Sequence, residues 1–162
     1  MICSNSTYHV IKIERGHFMI KQAVQEDSQI AAQLALLLWP NHALSEFTED
    51  MATFISSESA AIFLALQDTE AVGFAQCQLR TDYVEGTNSS PVGYLEGLFV
   101  KEGYRQHGFA KQLVTSCEHW AKTKGCKEFA SDCELDNSES LAVHLKLGFT
   151  EANRIICFTK TL

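Results

Sequence analysis

Segments with strand character and segments with helical character alternate along most of the 162-residue chain. Runs rich in branched and aromatic residues predict strands at residues 20–24, 61–66, 72–79, 94–100, 128–132 and 155–159. Apolar residues three or four positions apart predict helices at residues 28–38, 45–55, 109–124 and 138–147. This alternation is typical of an α/β or mixed (α+β) domain, and the chain is long enough for one core of ordinary size. We therefore expect a single domain in which helices pack on a sheet.

The first part of the chain differs from the rest. Residues 1–18 show little periodicity, and their apolar run at residues 10–13 is too short for the core of a secretory signal and is followed by charged residues. We expect residues 1–18 to be an N-terminal extension outside the fold, and the domain to occupy residues 19–162.

Composition excludes several classes of protein. The chain has 13 Lys and Arg against 20 Asp and Glu, a net charge of −7, and its basic residues are scattered, so nucleic acid is not expected as a partner. The negative charge suits a cationic small substrate, although it would equally serve solubility. No apolar run reaches the length of a membrane span, so we expect no membrane partner. The six cysteines form no CxxC pair, which favours free thiols in a reducing cytoplasm over a disulfide framework or a metal site.

The most specific local signal is the loop that joins the predicted strand at 94–100 to the helix at 109–124. It has the form R-x-x-G-x-A, with Arg105, Gly108 and Ala110 at the fixed positions. A helix start presents unpaired backbone N–H groups and the positive end of the helix dipole, and small residues let an anion approach them. The loop suits a pyrophosphate, but it is neither a P-loop nor a GxGxxG fingerprint. Taken alone, a glycine at such a turn is more often only a turn.

A second pattern lies further along the chain and supports the interpretation of the loop as a binding site. Asn137, Ser140, His144 and the Leu-Gly-Phe of residues 147–149 follow the loop in order. Together the two patterns resemble the acyl-CoA-binding and downstream motifs of the Gcn5-related N-acetyltransferase superfamily. The resemblance covers residues 19–162. It implies a central mixed, mostly antiparallel sheet flanked by helices, acetyl-CoA as co-substrate, and no metal.

Four further segments carry a finer resemblance. Residues 39–42, 82–86, 95–97 and 131–132 are similar to the corresponding segments of bacterial aminoglycoside 6′-N-acetyltransferases. The resemblance implies cytoplasmic acetylation of the 6′-amino group of drugs such as tobramycin, kanamycin and amikacin, and hence antibiotic resistance. It also implies a homodimer, which would cover the hydrophobic strand predicted at 155–159.

The same resemblance assigns ten residues to the cofactor. The backbone of the strand at 98–100 would pair with the pantetheine arm, the loop at 106–111 would surround the pyrophosphate, and an asparagine on the next helix would hold the cofactor from the other side. These residues are Leu98, Phe99, Val100, Gln106, His107, Gly108, Phe109, Ala110, Lys111 and Asn137.

The resemblance also assigns the substrate side, where carboxylates and aromatic rings suit a polycationic sugar. These residues are Trp39, His42, Tyr83, Glu96, Asp132 and Asn153. Tyr83 lies in the polar stretch 80–91, and a loop of that length in a compact domain is usually functional. Glu96 interrupts an apolar strand, so it must have a partner. Asn153 occupies a position where these enzymes have an acidic residue that contacts the substrate. Because asparagine is neutral, this chain lacks one negative charge toward the ammonium groups of the substrate.

The chemistry implied is direct attack of a neutral amine on the thioester. Glu96 or Asp132, acting through a water, is the candidate base, and His144 is the candidate acid at a position where many superfamily members have tyrosine. We interpret Cys133 as a structural thiol rather than a nucleophile, because no base can be identified for it. Two alternatives stay open at this point: an acetyltransferase of another amine, such as a polyamine, a peptide or a lysine, and a non-catalytic acyl-CoA-binding module.

Overall fold

One six-stranded sheet forms the centre of the molecule, and its strands lie side by side in chain order. The structure, a computed structural model, describes the backbone of residues 9–12 and the backbone and side chains of residues 17–162. The strands are β1 (His9–Lys12), β2 (His17–Gln22), β3 (Ala60–Gln67), β4 (Glu70–Arg80), β5 (Val92–Val100) and β6 (Phe129–Ser131). Neighbours are antiparallel except β5 and β6, which run parallel. The expected mixed, mostly antiparallel sheet is confirmed.

Helices cover both faces of this sheet, because residues of the strands alternate between the two sides. The helices are α1 (Ser28–Leu38), α2 (Leu44–Ser56), α3 (Phe109–Thr123) and α4 (Ser138–Leu147). On β3, Ile62 and Leu64 pack in the cluster with α1 and α2, whereas Phe63 packs with α3 on the opposite face. The predicted positions of all four helices are confirmed. None of the helices that the structure describes has the length and hydropathy needed to cross a membrane.

The fold begins earlier than the sequence predicts. Strand β2 starts at His17, and Phe18 is only 3% exposed, with its ring edge-on to Phe109 at 4.5 Å between centroids. Strand β1 pairs with β2, so the sheet also includes residues that were expected to lie outside it. The rest of the predicted extension, residues 1–8 and 13–16, lies outside the described residues, and for that part the prediction stays untested.

The strand predicted at residues 155–159 is wrong for this chain. The segment has neither helix nor strand, and Ile156 and Phe158 are 80% and 92% exposed. Consecutive apolar residues indicate strand propensity, but a strand also needs a hydrogen-bonding partner. Here β6 pairs with β5 on one side, and residues 155–159 do not add to its other edge.

Candidate active site

A β-bulge in the middle of the sheet positions the first site residue. Gln76 of β4 pairs with Gly97 of β5, and the next residue, Cys77, pairs with Leu95, so Glu96 has no partner in the register. A bulge of this kind turns a side chain away from the regular pleat. Glu96 consequently reaches a pocket of about 350 Å³ between β5 and the first two helices. The residues that line it are Trp39, His42, Phe47, Asp50, Met51, Gln76 and Glu96.

This pocket brings together three of the six residues that the sequence assigned to the substrate. Trp39 ends α1, His42 follows it in the loop before α2, and Glu96 comes from β5. The imidazole of His42 stacks on Phe47 with 4.4 Å between ring centroids. Two carboxylates, an indole and an imidazole around one cavity can bind ammonium groups by ion pairing and by cation–π contact.

The position of Trp39 depends on a glycine in β5. A Cβ atom at Gly97 would lie 2.5 Å from Cη2 and 3.1 Å from Cζ2 of the indole. Carbon atoms do not approach so closely, so any larger residue at position 97 would move the indole. Because Phe47 and Phe74 also pack edge-on against Trp39, at 6.2 and 6.1 Å, its ring has little room to adjust.

For the two ligands that the sequence resemblance implies, we expect Gly97→Ala to impair binding of the aminoglycoside more than binding of CoA. The added methyl group displaces the indole, so we expect a rise of about tenfold in KM for the aminoglycoside, from lost cation–π and packing contact, and a loss of about 1–3 kcal/mol of stability from overpacking. Steady-state kinetics and the fluorescence of the two tryptophans measure these effects. Gly103→Ala is the matched control, since a Cβ there meets no atom within 4 Å. An unchanged KM in Gly97→Ala would show that the indole does not contact the substrate.

Glu96 is held by two residues of the neighbouring strand. Arg80 donates from Nη2 to both carboxylate oxygens, at 2.8 and 2.9 Å, and from Nε to Oε1 at 3.0 Å. Gln78 donates from Nε2 to Oε1 at 2.6 Å. The required partner of this mid-strand carboxylate is therefore an arginine. A carboxylate that accepts this many hydrogen bonds is fixed in place.

Arg80 also connects Glu96 to Asp132, the second candidate base. Its guanidinium carbon lies 3.4 Å above the centre of the Tyr94 ring, and the hydroxyl of Tyr94 donates to Oδ1 of Asp132. Burial, and next the hydrogen bond to Asp132, raise the pKa of Tyr94 well above its usual value, so Tyr94 remains a donor. Asp132 itself follows β6 and is exposed. Of the two carboxylates, Asp132 accepts fewer hydrogen bonds from the described residues, so more of it is open to a water or a ligand.

The two remaining predicted substrate residues meet at a carboxylate that the sequence did not single out. Tyr83, which is 81% exposed, donates from its hydroxyl to Glu85 at 2.8 Å, and Asn153 donates from Nδ2 to the other oxygen at 2.9 Å. These hydrogen bonds, from Asn153 first and Tyr83 second, lower the pKa of Glu85. A negative charge is therefore present beside Asn153. Tyr83 and Asn153 are not among the residues that line the pocket at Glu96.

The predicted pyrophosphate loop has the backbone that such a site requires. Gly108 has φ +87° and precedes the first turn of α3, and a Cβ there would meet no atom within 4 Å. The first amides of a helix have no partner within it, so an anion can approach them here. Gln106 also has a positive φ, +63°, while His107 and Lys111 are exposed. The phenyl ring of Phe109 is buried, so this residue can offer a ligand only its backbone.

Among the described residues, one edge of β5 has no strand partner beyond Leu95, and we call it the free edge of β5. Strand β6 pairs with β5 from Gly93 to Leu95, and from there to Val100 the described strand that pairs with β5 is β4. An extended ligand can add to such an edge as a further strand would. The edge at Leu98 and Phe99 fits the predicted pantetheine position, whereas the carbonyl oxygen of Val100 already accepts a hydrogen bond from Arg105 at 3.1 Å.

Helix α4 contacts both the loop before α3 and the end of β6. Asn137 is its N-cap, and Oδ1 accepts a hydrogen bond from the amide of Ser140 at 2.9 Å. The residue thus has a structural role that the sequence did not indicate. Arg105 donates to Glu139 on the first turn at 2.9 Å, which ties the pyrophosphate loop to α4.

Both ring nitrogens of His144 have partners among the described residues. Nδ1 is 2.8 Å from the carbonyl oxygen of Ser140, and Nε2 is 2.9 Å from the hydroxyl of Ser131. The ring also packs edge-on against Phe149. His144 can therefore influence a reacting group only through one of these partners.

Sequence reasoning missed several polar residues of the site. Polar residues interrupt the apolar strand β4 at every second position, at Gln76, Gln78 and Arg80. A polar residue within an apolar strand is the signal that indicated Glu96. Asp50 lies three residues after the buried Phe47 on α2, and helical spacing brings it to the same face. The carboxamide oxygen of Gln76 is buried and accepts no hydrogen bond from the described residues. Among those residues, no group of three or more histidine, cysteine, aspartate or glutamate side chains could hold a metal ion.

The chain is similar to acetyltransferases over most of its length. It is 43% identical over 123 residues to an aminoglycoside N(6')-acetyltransferase type 1 of Salmonella typhimurium, a match that covers 76% of this chain and 85% of that protein. It is 42% identical over 139 residues to one of Acinetobacter baumannii, covering 84% and 94%. The solved structure of AAC(6')-Iy in complex with the bisubstrate analog CoA-S-monomethyl-acetylneamine superposes with a TM-score of 0.87 at 39% identity, over 91% of this chain and 100% of that one. With a family model that matches residues 17–149, the chain belongs to the acetyltransferase (GNAT) family.

Proposed function

We propose that this protein transfers the acetyl group of acetyl-CoA to the 6′-amino group of aminoglycosides and so confers resistance to these antibiotics. The observation that carries the proposal is the pocket of Trp39, His42 and Glu96, which opens at the bulge of β5, next to the free edge of the same strand. A polycationic sugar and an extended thioester could meet at this strand. Relatives that are named for this activity are similar over most of the chain.

In the proposed reaction the amine attacks the thioester directly, with both substrates bound. Asp132 takes a proton from the 6′-ammonium group, through a water, and Glu96 binds an ammonium group with the oxygen that is less occupied by Arg80. Trp39 and His42 hold the sugar ring. The backbone N–H groups of β5 polarise the carbonyl group of the thioester, and His144 supplies the proton that the leaving sulfur needs.

For acetyl-CoA we propose the binding residues that the free edge and the helix start support. The backbone of Leu98, Phe99 and the amide of Val100 would pair with the pantetheine arm. The amides of residues 106–111, with Gly108 at their centre, would bind the pyrophosphate, and Asn137 would contact the cofactor while it caps α4. Tyr83 and Asn153, joined by Glu85, would bind a second amino group of the antibiotic.

A thiol-release assay with acetyl-CoA tests the substrate class. We expect turnover with aminoglycosides that carry a 6′-amino group, such as tobramycin, kanamycin and amikacin, and none with an analogue that has a 6′-hydroxyl. Turnover with spermidine or a peptide amine instead would assign another amine to the pocket. Binding of CoA without release of thiol from any amine would indicate a binding module.

We further propose that the chain acts as a homodimer in the cytoplasm. The apolar residues of the C-terminal segment 155–158 are exposed in the single chain, and β6 lies at an edge of the sheet. In a symmetric dimer two such contacts form, because the segment of each copy can pair with the β6 edge of the other. The five described cysteines are free, as expected of a reducing compartment.

Light scattering measures this association. We expect the parent chain to have twice the mass of one 18.1-kDa chain at micromolar concentration, and the variant with both Ile156→Lys and Phe158→Lys to have the mass of one. Leu135→Lys is the control, since Leu135 is 77% exposed and lies outside the segment. A monomeric parent, or a dimer that survives both lysines, would contradict the proposal.

A further inference from the structure

The point where β5 and β6 separate contains a serine that the proposed steps do not use. Ser131 is the last residue of β6, and it lies opposite Leu95, where the pairing with β5 ends. Its hydroxyl is 3.1 Å from the carbonyl oxygen of Leu95 and 2.9 Å from Nε2 of His144. The hydroxyl therefore lies between the histidine and the free edge of β5.

The partners of His144 determine where its protons are. Nδ1 is 2.8 Å from the carbonyl oxygen of Ser140, which only accepts hydrogen bonds, and 3.3 Å from the hydroxyl of the same residue, so the shorter contact favours a proton on Nδ1. While the hydroxyl of Ser131 donates to Leu95, it can only accept from Nε2. Each ring nitrogen thus faces a partner rather than open space. The contact that leads from the ring toward the edge of β5 runs through the hydroxyl of Ser131.

We propose that Ser131 is a catalytic residue that protonates the leaving thiolate, with His144 as the source of the proton. The inference rests on the acetyl transfer proposed above. When the carbon–sulfur bond breaks, its electron pair stays on sulfur, and the hydroxyl of Ser131 turns from Leu95 and gives sulfur its proton. Nε2 of His144 passes a proton to Oγ at the same time. The neutral imidazole keeps its proton on Nδ1, where Ser140 accepts it, and solvent restores the proton on Nε2.

A structural role for Ser131 makes different predictions. If the hydroxyl only joined the two strands, its loss would lower stability and affect KM, but it would not depend on His144. Three variants of the full chain separate the roles: Ser131→Ala removes the hydroxyl, Ser131→Thr keeps it, and His144→Gln removes the source of the proton. All are assayed with acetyl-CoA and tobramycin, and their melting temperatures are compared.

We expect Ser131→Ala to lower kcat by about 10-fold to 100-fold with little change in either KM, since proton transfer contributes mainly to the chemical step. Ser131→Thr should retain most of the parental kcat. Adding Ser131→Ala to His144→Gln should cost little more than either alone, because the two residues act as one path. The melting temperatures of the variants should not fall in proportion to their losses in kcat.

Each contrary result has a separate meaning. A parental kcat in Ser131→Ala, or an equal loss in Ser131→Thr, overturns the assignment of Ser131 even if His144→Gln is impaired. Losses that multiply in the double variant also overturn it, because they show independent roles. If His144→Gln retains the parental kcat while the parent acetylates tobramycin, His144 is not the acid, and both the relay and that part of the proposed mechanism fail. If the parent releases no thiol, the proposed function itself fails.

Discussion

Asp132→Asn is expected to lower kcat for aminoglycoside acetylation by about 10²–10⁴-fold, the range that a general base contributes. Asparagine has nearly the same shape and can still accept the hydrogen bond from Tyr94, so the loss would come from basicity and charge. CoA affinity should be unchanged. The measurement is steady-state kinetics with tobramycin over a range of pH, together with calorimetric titration of CoA.

Glu96→Gln provides the contrast to Asp132→Asn. Because Arg80 and Gln78 already occupy most of the Glu96 carboxylate, we expect its loss to act on binding rather than on proton transfer, with a fall of about tenfold to a hundredfold in kcat/KM. Asp136→Asn is the control for loss of surface charge near Asp132. Parental rates in Asp132→Asn at every pH would remove Asp132 from the chemistry, and a larger loss of kcat in Glu96→Gln would reverse the two roles.

Gly108→Glu is expected to weaken CoA binding by about 100-fold while the protein remains folded. The new side chain enters the open space before α3 and places a negative charge where a pyrophosphate would meet the helix amides. Losing one charge-assisted hydrogen bond accounts for about 1.5–3 kcal/mol, and repulsion between the two anions adds to it. Calorimetric titration with CoA measures the change, and thermal unfolding confirms the fold.

The same helix offers a matched control. Gly125 follows α3 at its other end, with φ +88° against +87° at Gly108, and a Cβ there also meets no atom within 4 Å. Gly125→Glu therefore introduces the same backbone strain and the same charge away from the predicted cradle. We expect both variants to lose similar stability and only Gly108→Glu to lose CoA affinity. Equal CoA affinities in the two variants would remove the cradle from this loop.

Local patterns were sufficient for the parts of the fold that local interactions determine. The four helices follow from apolar residues that recur on one face, and α3 and α4 end next to Gly125 and Gly148, which adopt the positive φ that glycine favours. Residues 155–159 show the limit of such patterns. Their composition favours a strand, but a strand exists only where an edge accepts it, and a local pattern does not contain the edge.

The same distinction between local patterns and long-range contacts applies to the residues of the site. Gly108, Asn137 and His144 belong to short motifs, so their residue types and spacing were enough to single them out. Asp50, Arg80 and Glu85 were missed because their roles depend on contacts between segments far apart in the chain, such as Arg80 with Glu96 and Glu85 with Asn153. The periodicity of the sequence also does not reveal a bulge that turns one side chain. The polar residues that interrupt the apolar strands β4 and β5 were nevertheless visible.

The bidentate contact between Arg80 and Glu96 has a consequence for how the pocket distinguishes its ligands. The pair is neutral as a whole, so the field that reaches solvent from this side of the cavity is weaker than its carboxylates alone would produce. Glu96 would therefore add little to the long-range attraction of a polycation, which comes instead from Asp50 and from the net charge of −7. Selection would then rest on short directional bonds that only a ligand with matching ring geometry can complete, which penalises flexible linear polyamines despite their charge.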